Sequence, residues 1–407
     1  MSVSLQQEQS TPDQYEVAIR TTNMTGQENH ASSSSRTTTT TTVAAADDSR
    51  VSSRFHHVVT KEGHAIATGF DRTKLLRCED EPIHIPGAIQ SFGLLIALDR
   101  RQELLIRIVS ENSEEIIGYT PDQLFGLNSF KDLLSENQYE SFLDHLDFVQ
   151  EDGDVAGNGP EVFSLSICTP ENTELRTWCA MHVNAENHHL VICELELEND
   201  RKNPLTPSGG DLNSEPVSST LDGAPAADDW QASTRSTSKP LRMSRGKQSS
   251  NTQAGMEVYK VILQVQEQLG STSTLQNLLD VLVGLVEDLT GFHRTMVYQF
   301  DRMWHGRVVA ELLDPRTTND LYRGLSFPAT DIPKQARELY KVNKVRLLYD
   351  RDQETARLVC RTIEDLAHPL DLTHSYLRAM SPIHSQYLRN MDVRSLLSIS
   401  ITAFGDL

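Results

Sequence analysis

The sequence predicts an α+β protein built from two ordered blocks, and three observations carry that prediction. Apolar runs of strand length, with short helical segments among them, fill 66–198. Two helices of 3.6-residue period followed by further strands fill 256–407. The stretches 1–65 and 199–255 are polar and low in complexity, and read as a disordered leader and a disordered linker.

Each element follows from local pattern. Gly93–Asp99 and Leu104–Ser110 are apolar runs separated by Arg100–Glu103, which predicts a hairpin. Ser113–Ile117 and Pro121–Gly126 read as short helices, and Val162–Cys168, Leu175–Val183 and Leu190–Leu197 as three more strands. Strands, short helices and strands again predict an antiparallel sheet with flanking helices. In the second block, Val258, Ile262, Val265 and Leu269 share one face of a helix, and Leu278, Leu282, Leu285 and Leu289 line a second. Thr274 or Ser273 can cap that second helix and Gly291 can end it. Strands follow at Thr295–Phe300 and Arg307–Leu312, helices around Lys334–Tyr340 and Pro382–Met391, and a strand at Ser395–Thr402.

The leader contains the runs Ser32–Ser35 and Thr37–Thr42, which have no apolar surface to offset the entropy of ordering. The linker holds a loose basic cluster, Arg235, Lys239, Arg242, Arg245 and Lys247; a solvated linker is favoured there over a nuclear-import patch. Apolar residues make up 38% of the 407, below the roughly 45–50% of a fully globular chain. Acidic residues outnumber basic ones, 57 to 37, for a net charge of −20, which argues against direct nucleic-acid or anionic-membrane partners. No apolar run reaches the roughly 18 residues of a membrane span, and Met1–Gln14 lacks a signal-peptide core. The expectation is a cytoplasmic protein. The five cysteines, Cys78, Cys168, Cys179, Cys193 and Cys360, form no Cys-x-x-Cys pair, so reduced thiols are expected.

Short generic motifs are absent: there is no nucleotide-binding glycine loop, no H-E-x-x-H and no G-x-S-x-G. The histidines lack metal-ligand spacing, and His182, on a strand, reads as a surface or satisfied core residue. Three longer segments are informative. They are Cys78-Glu-Asp-Glu-Pro-Ile-His-Ile-Pro-Gly-Ala-Ile-Gln90, Phe327-Pro-Ala-Thr-Asp-Ile-Pro333 and Ser381-Pro-Ile-His-Ser-Gln-Tyr-Leu-Arg-Asn-Met391. In order and spacing they closely resemble the phytochrome family, in its bacterial and fungal branch. The long Ser/Thr-rich leader and linker look more fungal than bacterial.

The resemblance implies a PAS domain at 66–198 and a GAF domain at 256–407 that cradles a linear tetrapyrrole, biliverdin. Such a ligand needs an apolar slot, a few aimed polar groups, cations for its two propionates and, for covalent attachment, a soft nucleophile. Cys78 stands where relatives form the thioether. The plant-type attachment position, just before the histidine, is Ile383 here. Glu79, Asp80 and Glu81 disfavour the Cys78 thiolate, so its activation must come from elsewhere. Asp331 matches the residue whose backbone carbonyl accepts from pyrrole N–H groups, with Ile332 and Pro333 packing on the rings; capping of the helix at Lys334 is the local alternative. Arg346 and Arg378 match propionate-binding arginines, Tyr340 a tyrosine beside a propionate, and His384 the histidine beside the central rings. Tyr298, Phe327 and Tyr387 match aromatics around the isomerising ring. Pro86–Gly87 and Ile89 lie where relatives thread the leader through a loop of the second domain.

The family's second domain continues past the residue that matches Leu407, with a further strand and a second histidine, so Ser398–Thr402 is expected as an unpaired edge. The resemblance further implies a homodimer in the full-length protein and downstream signalling partners. The chain itself reads as a receptor fragment without a catalytic domain. Two rivals stay open: a chromophore-free PAS–GAF interaction scaffold, and the N-terminal part of a sensor histidine kinase. Uptake of biliverdin separates the first, and the gene sequence downstream the second.

Overall fold

The computed structural model describes residues 15–24, 55–70, 81–152, 159–204, 226–242 and 251–403. Its strands begin with β1 (Tyr15–Met24), β2 (Phe55–Val59), β3 (Ala65–Phe70), β4 (Ala88–Gln90) and β5 (Leu94–Asp99). They continue with β6 (Leu105–Ser110), β7 (Glu161–Cys168), β8 (Glu174–Val183), β9 (Leu190–Leu197) and β10 (Arg294–Phe300). The last are β11 (Gly306–Leu313), β12 (Ser326–Phe327), β13 (Val345–Leu348), β14 (Thr355–Cys360) and β15 (Val393–Ala403). The fold is α+β with antiparallel sheets, as the pattern predicted. It divides into two compact units. One comprises Met1–Asn23, Glu215–Ile332 and Leu397–Leu407, and the other Met24–Ser214 and Pro333–Leu396. The sequence reading kept 256–407 together; instead Pro333–Leu396 joins the unit that contains the first block.

That unit is organised by one sheet in the order β2-β3-β14-β6-β5-β9-β8-β7, with β4 also paired to β14. The predicted hairpin is β5–β6, closed by a 3-10 turn at Arg100–Gln102 that Asp99 caps by accepting from the Arg101 amide. All six residues of β5 are buried, because both faces of the sheet are covered. On one face Leu94, Ile96, Cys193 and Leu195 pack with Phe130, Phe142 and Phe163. The helix Glu136–Asp152 lies on this side and was not anticipated; its buried Phe142, Leu146 and Val149 have the i, i+4, i+7 spacing of a helix. On the other face Leu95, Ala97 and Ile192 pack with Leu366, Leu370, Leu372 and Leu377. A strand and a layer from the second block therefore complete the sheet of the first. Pattern alone shows that a face is apolar, and distant residues decide what covers it.

In the other unit the strand order is β12-β11-β10-β1-β15. The expected disorder of 1–65 is not met at Tyr15–Met24, which pairs with β10 from Val17↔Gln299 to Thr22↔Arg294, nor at Phe55–Val59. Its β-branched Val17, Ile19, Thr21 and Thr22 suit a strand. Because β1 sits beside β15, Ser398–Thr402 is not an open edge. The helix Leu275–Thr290 is capped by Thr274, whose hydroxyl accepts from the Asn277 amide at 3.2 Å, and ends at Gly291 with φ 68°. Its buried face is Leu279, Leu282, Val283 and Val286 against Val297, Ala310 and Leu312, and Leu289 is exposed.

The helix Asn251–Gly270 starts earlier than expected, and its predicted apolar face leaves Val258 and Ile262 exposed. The reason lies in the supposed linker. Residues 226–242 include the helix Ala227–Thr234, and the amides of Lys239 and Arg242 donate to the side chains of Gln268 and Gln264. The polar stripe of the helix is thus engaged. Gly284 admits this segment: a Cβ there would lie 2.5 Å from the Ser236 hydroxyl oxygen and 2.4 Å from that of Ser238. No helix among the described residues is long and apolar enough to cross a membrane.

A buried ion pair organises the loop after β11. Arg294 Nη1 donates to Glu311 Oε1 at 2.9 Å, Arg294 Nη2 donates to the Asp320 carbonyl, and the guanidinium lies 3.8 Å from the Tyr322 ring centre. Glu311 also accepts from the amides of Tyr322 and Arg323. Removing one partner leaves a buried charge, so Glu311→Ala should destabilise by about 3–5 kcal/mol, and Arg294→Met with Glu311→Leu together by much less. Urea unfolding of the three proteins checks this; equal losses would mean the pair is replaceable one side at a time.

His182 on β8 is buried, and its Nδ1 has no hydrogen-bond partner, so it is a core residue without the satisfied contact expected of one. Burial, with a smaller contribution from His374, pushes its imidazole from 6.5 down to about 3. The unfolded chain binds a proton below 6.5 that the folded chain refuses. Stability therefore falls as pH drops from 6.5 toward 3, by about 1.4 kcal/mol per pH unit at the steepest. His182→Phe should flatten the fall in unfolding free energy over about pH 6 to 4. Superimposable acid profiles of the two proteins would exclude His182 as the source.

Candidate functional site

Of the expected site residues, Tyr340, Arg346, Pro333, Arg378, His384 and Tyr387 lie in the unit that contains the large sheet. Tyr340 is on the helix Lys334–Val342 and Arg346 on β13. In β13 the usual alternation is inverted, because Val345 is exposed while Arg346 is buried. An arginine turned into the core in place of a valine is held there by what it binds. Its Nη1 donates to the Tyr376 carbonyl at 2.9 Å, and its Nη2 donates to the carbonyls of Arg378 and Ala379. Arg346 thus straps a loop.

Arg378 stands in that loop and is buried, 5% exposed, with an Nη1 that has no hydrogen-bond partner. Desolvation pulls the Arg346 guanidinium down to about 9, with repulsion from Arg378 adding to it, and the Arg378 guanidinium to about 10. Tyr340 opposes the shift at both. Two cations brought this close out of water, one with an orphaned donor, form a seat for an anion. A planar guanidinium grips a carboxylate with two parallel hydrogen bonds, so the pair suits a carboxylate in particular.

Sequence reasoning missed a third member. Glu194 on β9 is fully buried, and its carboxyl accepts from the amides of Leu377 at 2.9 Å and Tyr376 at 3.2 Å. Burial pushes that carboxyl up to about 8. In the pattern Leu190-Val-Ile-Cys-Glu-Leu-Glu-Leu197 the glutamates fall on alternate positions, the sign of a solvent face. Nothing local reveals that residues 366–377 cover it.

The leader segment is anchored to the same loop. β4 pairs with β14, and on its other edge Ile89 bridges to Arg378. The Gln90 amide donates to the Leu377 carbonyl at 2.7 Å, and the Ala379 amide to the Ala88 carbonyl at 3.1 Å. Ala88–Gln90 is thus held between 355–357 and 377–379. Upstream, Glu81 accepts from the Ser381 hydroxyl at 2.6 Å. Ser381 caps the helix Pro382–Asn390 by accepting from the amides of Ile383 and His384. His384 and Tyr387 lie on that helix with ring centres 5.8 Å apart, inclined by 25°. Tyr387 packs against Leu348, Leu388, Val393 and Leu396. Cys78 lies outside the described residues.

Tyr298, Phe327, Asp331 and Ile332 lie in the other unit. Tyr298 is buried, its ring centre 5.7 Å from that of Phe327 and 5.1 Å from that of Phe300. Its ring lies flat over Gly306, where a Cβ would come within 2.0 Å, so only glycine fits under it. Asp331 ends the 3-10 turn Ala329–Asp331, with its amide donating to the Pro328 carbonyl at 3.0 Å, and Ile332 is buried. Pro333, not Asp331, occupies the cap position of the helix Lys334–Val342.

Gly306→Ala drives a methyl group into the Tyr298 ring and should cost about 1–3 kcal/mol in thermal or urea unfolding. A Tyr298→Ala change in the same chain should relieve the clash; a Gly306→Ala cost that persists there would assign it to the backbone instead.

Comparisons with known proteins fit this geometry. Residues 78–155 match the family described as a PAS fold. The chain is 31% identical over 327 residues to cyanobacterial phytochrome B of Nostoc, covering 80% of this chain and 35% of that protein. It is 31% identical over 340 residues to a bacteriophytochrome of Pseudomonas aeruginosa, covering 84% and 37%. The chain therefore spans little more than a third of the length of these relatives. Among solved structures, the chromophore binding domain of Stigmatella aurantiaca phytochrome P1 superposes with a TM-score of 0.54 at 28% identity, covering 80% of this chain and 90% of that one. The photosensory core module of the same organism's phytochrome gives 0.56 at 28% identity, covering 81% and 55%. With its three motifs, its PAS fold and these relatives, the chain belongs to the phytochrome family.

Proposed function

We propose that this chain is the light-sensing front part of a red/far-red photoreceptor that binds the linear tetrapyrrole biliverdin, covalently through Cys78. One observation carries the reading: in a member of the phytochrome family, the buried Arg378 guanidinium, beside Arg346 and Tyr340, has an Nη1 without a partner. A propionate carboxylate fits that seat, since it would supply the missing acceptor and offset the repulsion between two desolvated cations. When bound, the tetrapyrrole supplies absorption of light and isomerisation about a double bond.

The chain's own residues have separable tasks. Arg378 grips a propionate, and Arg346 fixes the backbone from which Arg378 projects. Tyr340 lies within electrostatic reach of both guanidinium groups. The Asp331 backbone carbonyl accepts from pyrrole N–H groups, and Ile332 and Pro333 pack on the rings. His384 holds a proton near the central rings. Tyr298, Phe327 and Tyr387 confine the ring that turns, which steers excitation along one motion. Cys78 attaches the ligand by addition: its sulfur bonds to one vinyl carbon and its proton ends on the other, so no oxidant is required. The changed contacts after isomerisation shift a conformational equilibrium, read by downstream signalling partners in a homodimer of the whole receptor. The relatives' signalling output and the cytoplasmic setting belong to the same proposal.

Mixing the purified chain with biliverdin should give a red-absorbing complex that survives denaturation. Cys78→Ala should keep the complex and lose its resistance to denaturant. Bilin retained by denatured Cys78→Ala protein, but lost from denatured Cys360→Ala protein, would move the attachment site. No red-absorbing complex at all would leave the chromophore-free scaffold as the reading.

Arg378→Ala should weaken uptake by about 1.5–3 kcal/mol, the worth of a charge-assisted hydrogen bond in a buried site, and Arg378→Lys by less. Titration of absorbance against ligand measures both. Affinities equal to the parent's would take the propionate away from Arg378.

A further inference from the structure

The acid that reaches the arginine site from the sheet is Glu194. It is fully buried on β9, and the strand's other inward residues are Val191, Ile192, Cys193 and Leu195. Leaving a carboxyl in such a place costs free energy unless its acceptors are used, and here both oxygens are. Oε1 accepts from the Leu377 amide and Oε2 from the Tyr376 amide. These are the two residues immediately before Arg378. The carbonyls of the same segment are taken from elsewhere, those of Tyr376, Arg378 and Ala379 by Arg346 and that of Leu377 by Gln90. Glu194 therefore supplies the side-chain acceptors for the amides of Tyr376 and Leu377, which sit two residues and one residue from the guanidinium with the orphaned Nη1.

We infer that Glu194 is a positioning residue for anion binding: by fixing the amides of Tyr376 and Leu377 it aims the Arg378 guanidinium at the carboxylate of the ligand. The inference rests on the carboxylate-binding reading of Arg346 and Arg378 given above. It adds that specificity for the ligand's carboxylates is set partly from the PAS sheet, by a residue that does not touch the ligand. Glu194 also places a negative charge, when ionised, within reach of both arginines, which limits how strongly they attract an anion when none is bound. Glutamine has the same size but one acceptor oxygen, so Glu194→Gln leaves one of the two amides without a partner and frees the segment to shift.

The test compares biliverdin, which carries two free propionates, with biliverdin dimethyl ester, which carries none. For the parent chain the acid should bind at least about tenfold more tightly than the ester, since only the acid offers charged acceptors. In Glu194→Gln that preference should shrink to about threefold or less, with affinity for the ester within about twofold of the parent's. Glu194→Asp keeps both oxygens on a shorter arm and should recover part of the preference; it also serves if the glutamine variant does not fold. An undiminished preference in both variants overturns the inference. Equal losses for acid and ester overturn it as well, because they mark a merely structural role. A parent chain that binds the two forms equally removes the propionate reading itself, and a parent that binds neither removes the photoreceptor reading. The two levels of failure are thus told apart by the parent alone.

Discussion

The backbone of Tyr376–Ala379 has its hydrogen bonds distributed among three distant parts of the chain. Glu194 takes amides from the sheet side, Arg346 takes carbonyls from β13, and Ala88–Gln90 pairs along the remaining edge. A buried segment in no regular strand has to satisfy every polar group or lose about 1–3 kcal/mol for each one left bare. Meeting that requirement here fixes where Arg378 stands. It also ties the leader motif, the large sheet and the arginine site into one arrangement, so that none of the three can move alone.

The same constraint explains why the first block does not close on itself. β14 lies between β3 and β6, and Leu358 and Cys360 pack in the cluster that holds Leu95, Ala97 and Ile192. Without the residues from 333–396, β5 and β9 would expose a second apolar face. The pairing joins residues more than 240 positions apart, as in Val359↔Val109, and such contacts form only after the entropy of a long loop has been given up. The apolar area covered on the second face is what offsets that cost.

Two buried guanidinium groups in this chain show opposite solutions. Arg294 is matched by Glu311, the Asp320 carbonyl and the Tyr322 ring, with its Nε left over, and it organises a loop. Arg378 lies beside another cation, and its Nη1 is left without an acceptor. A guanidinium paired with a buried carboxylate is architecture. On the proposed function, a guanidinium buried beside another cation with a donor left over is a place for a ligand, because an added acceptor completes it.

The sequence by itself determined the class of fold, most of its elements and the family. Apolar runs marked β5 to β9, Thr274 and Gly291 marked the ends of a helix, and three motifs resembling the phytochrome family named the residues proposed to hold a tetrapyrrole. These are properties of neighbours in the chain, and local chemistry suffices for them. The tertiary structure alone decided which faces are covered and by what. Glu194 reads as a solvent residue because alternation reports a face and not its partner. Val258 and Ile262 read as core, yet the polar Gln264 and Gln268 are the side engaged by 226–242. Tyr15–Met24 lies in a leader of low complexity but finds a vacant position between β10 and β15. In each case the deciding contact comes from residues far along the chain, where hydrogen-bond demand and buried area are settled jointly and no local pattern records them.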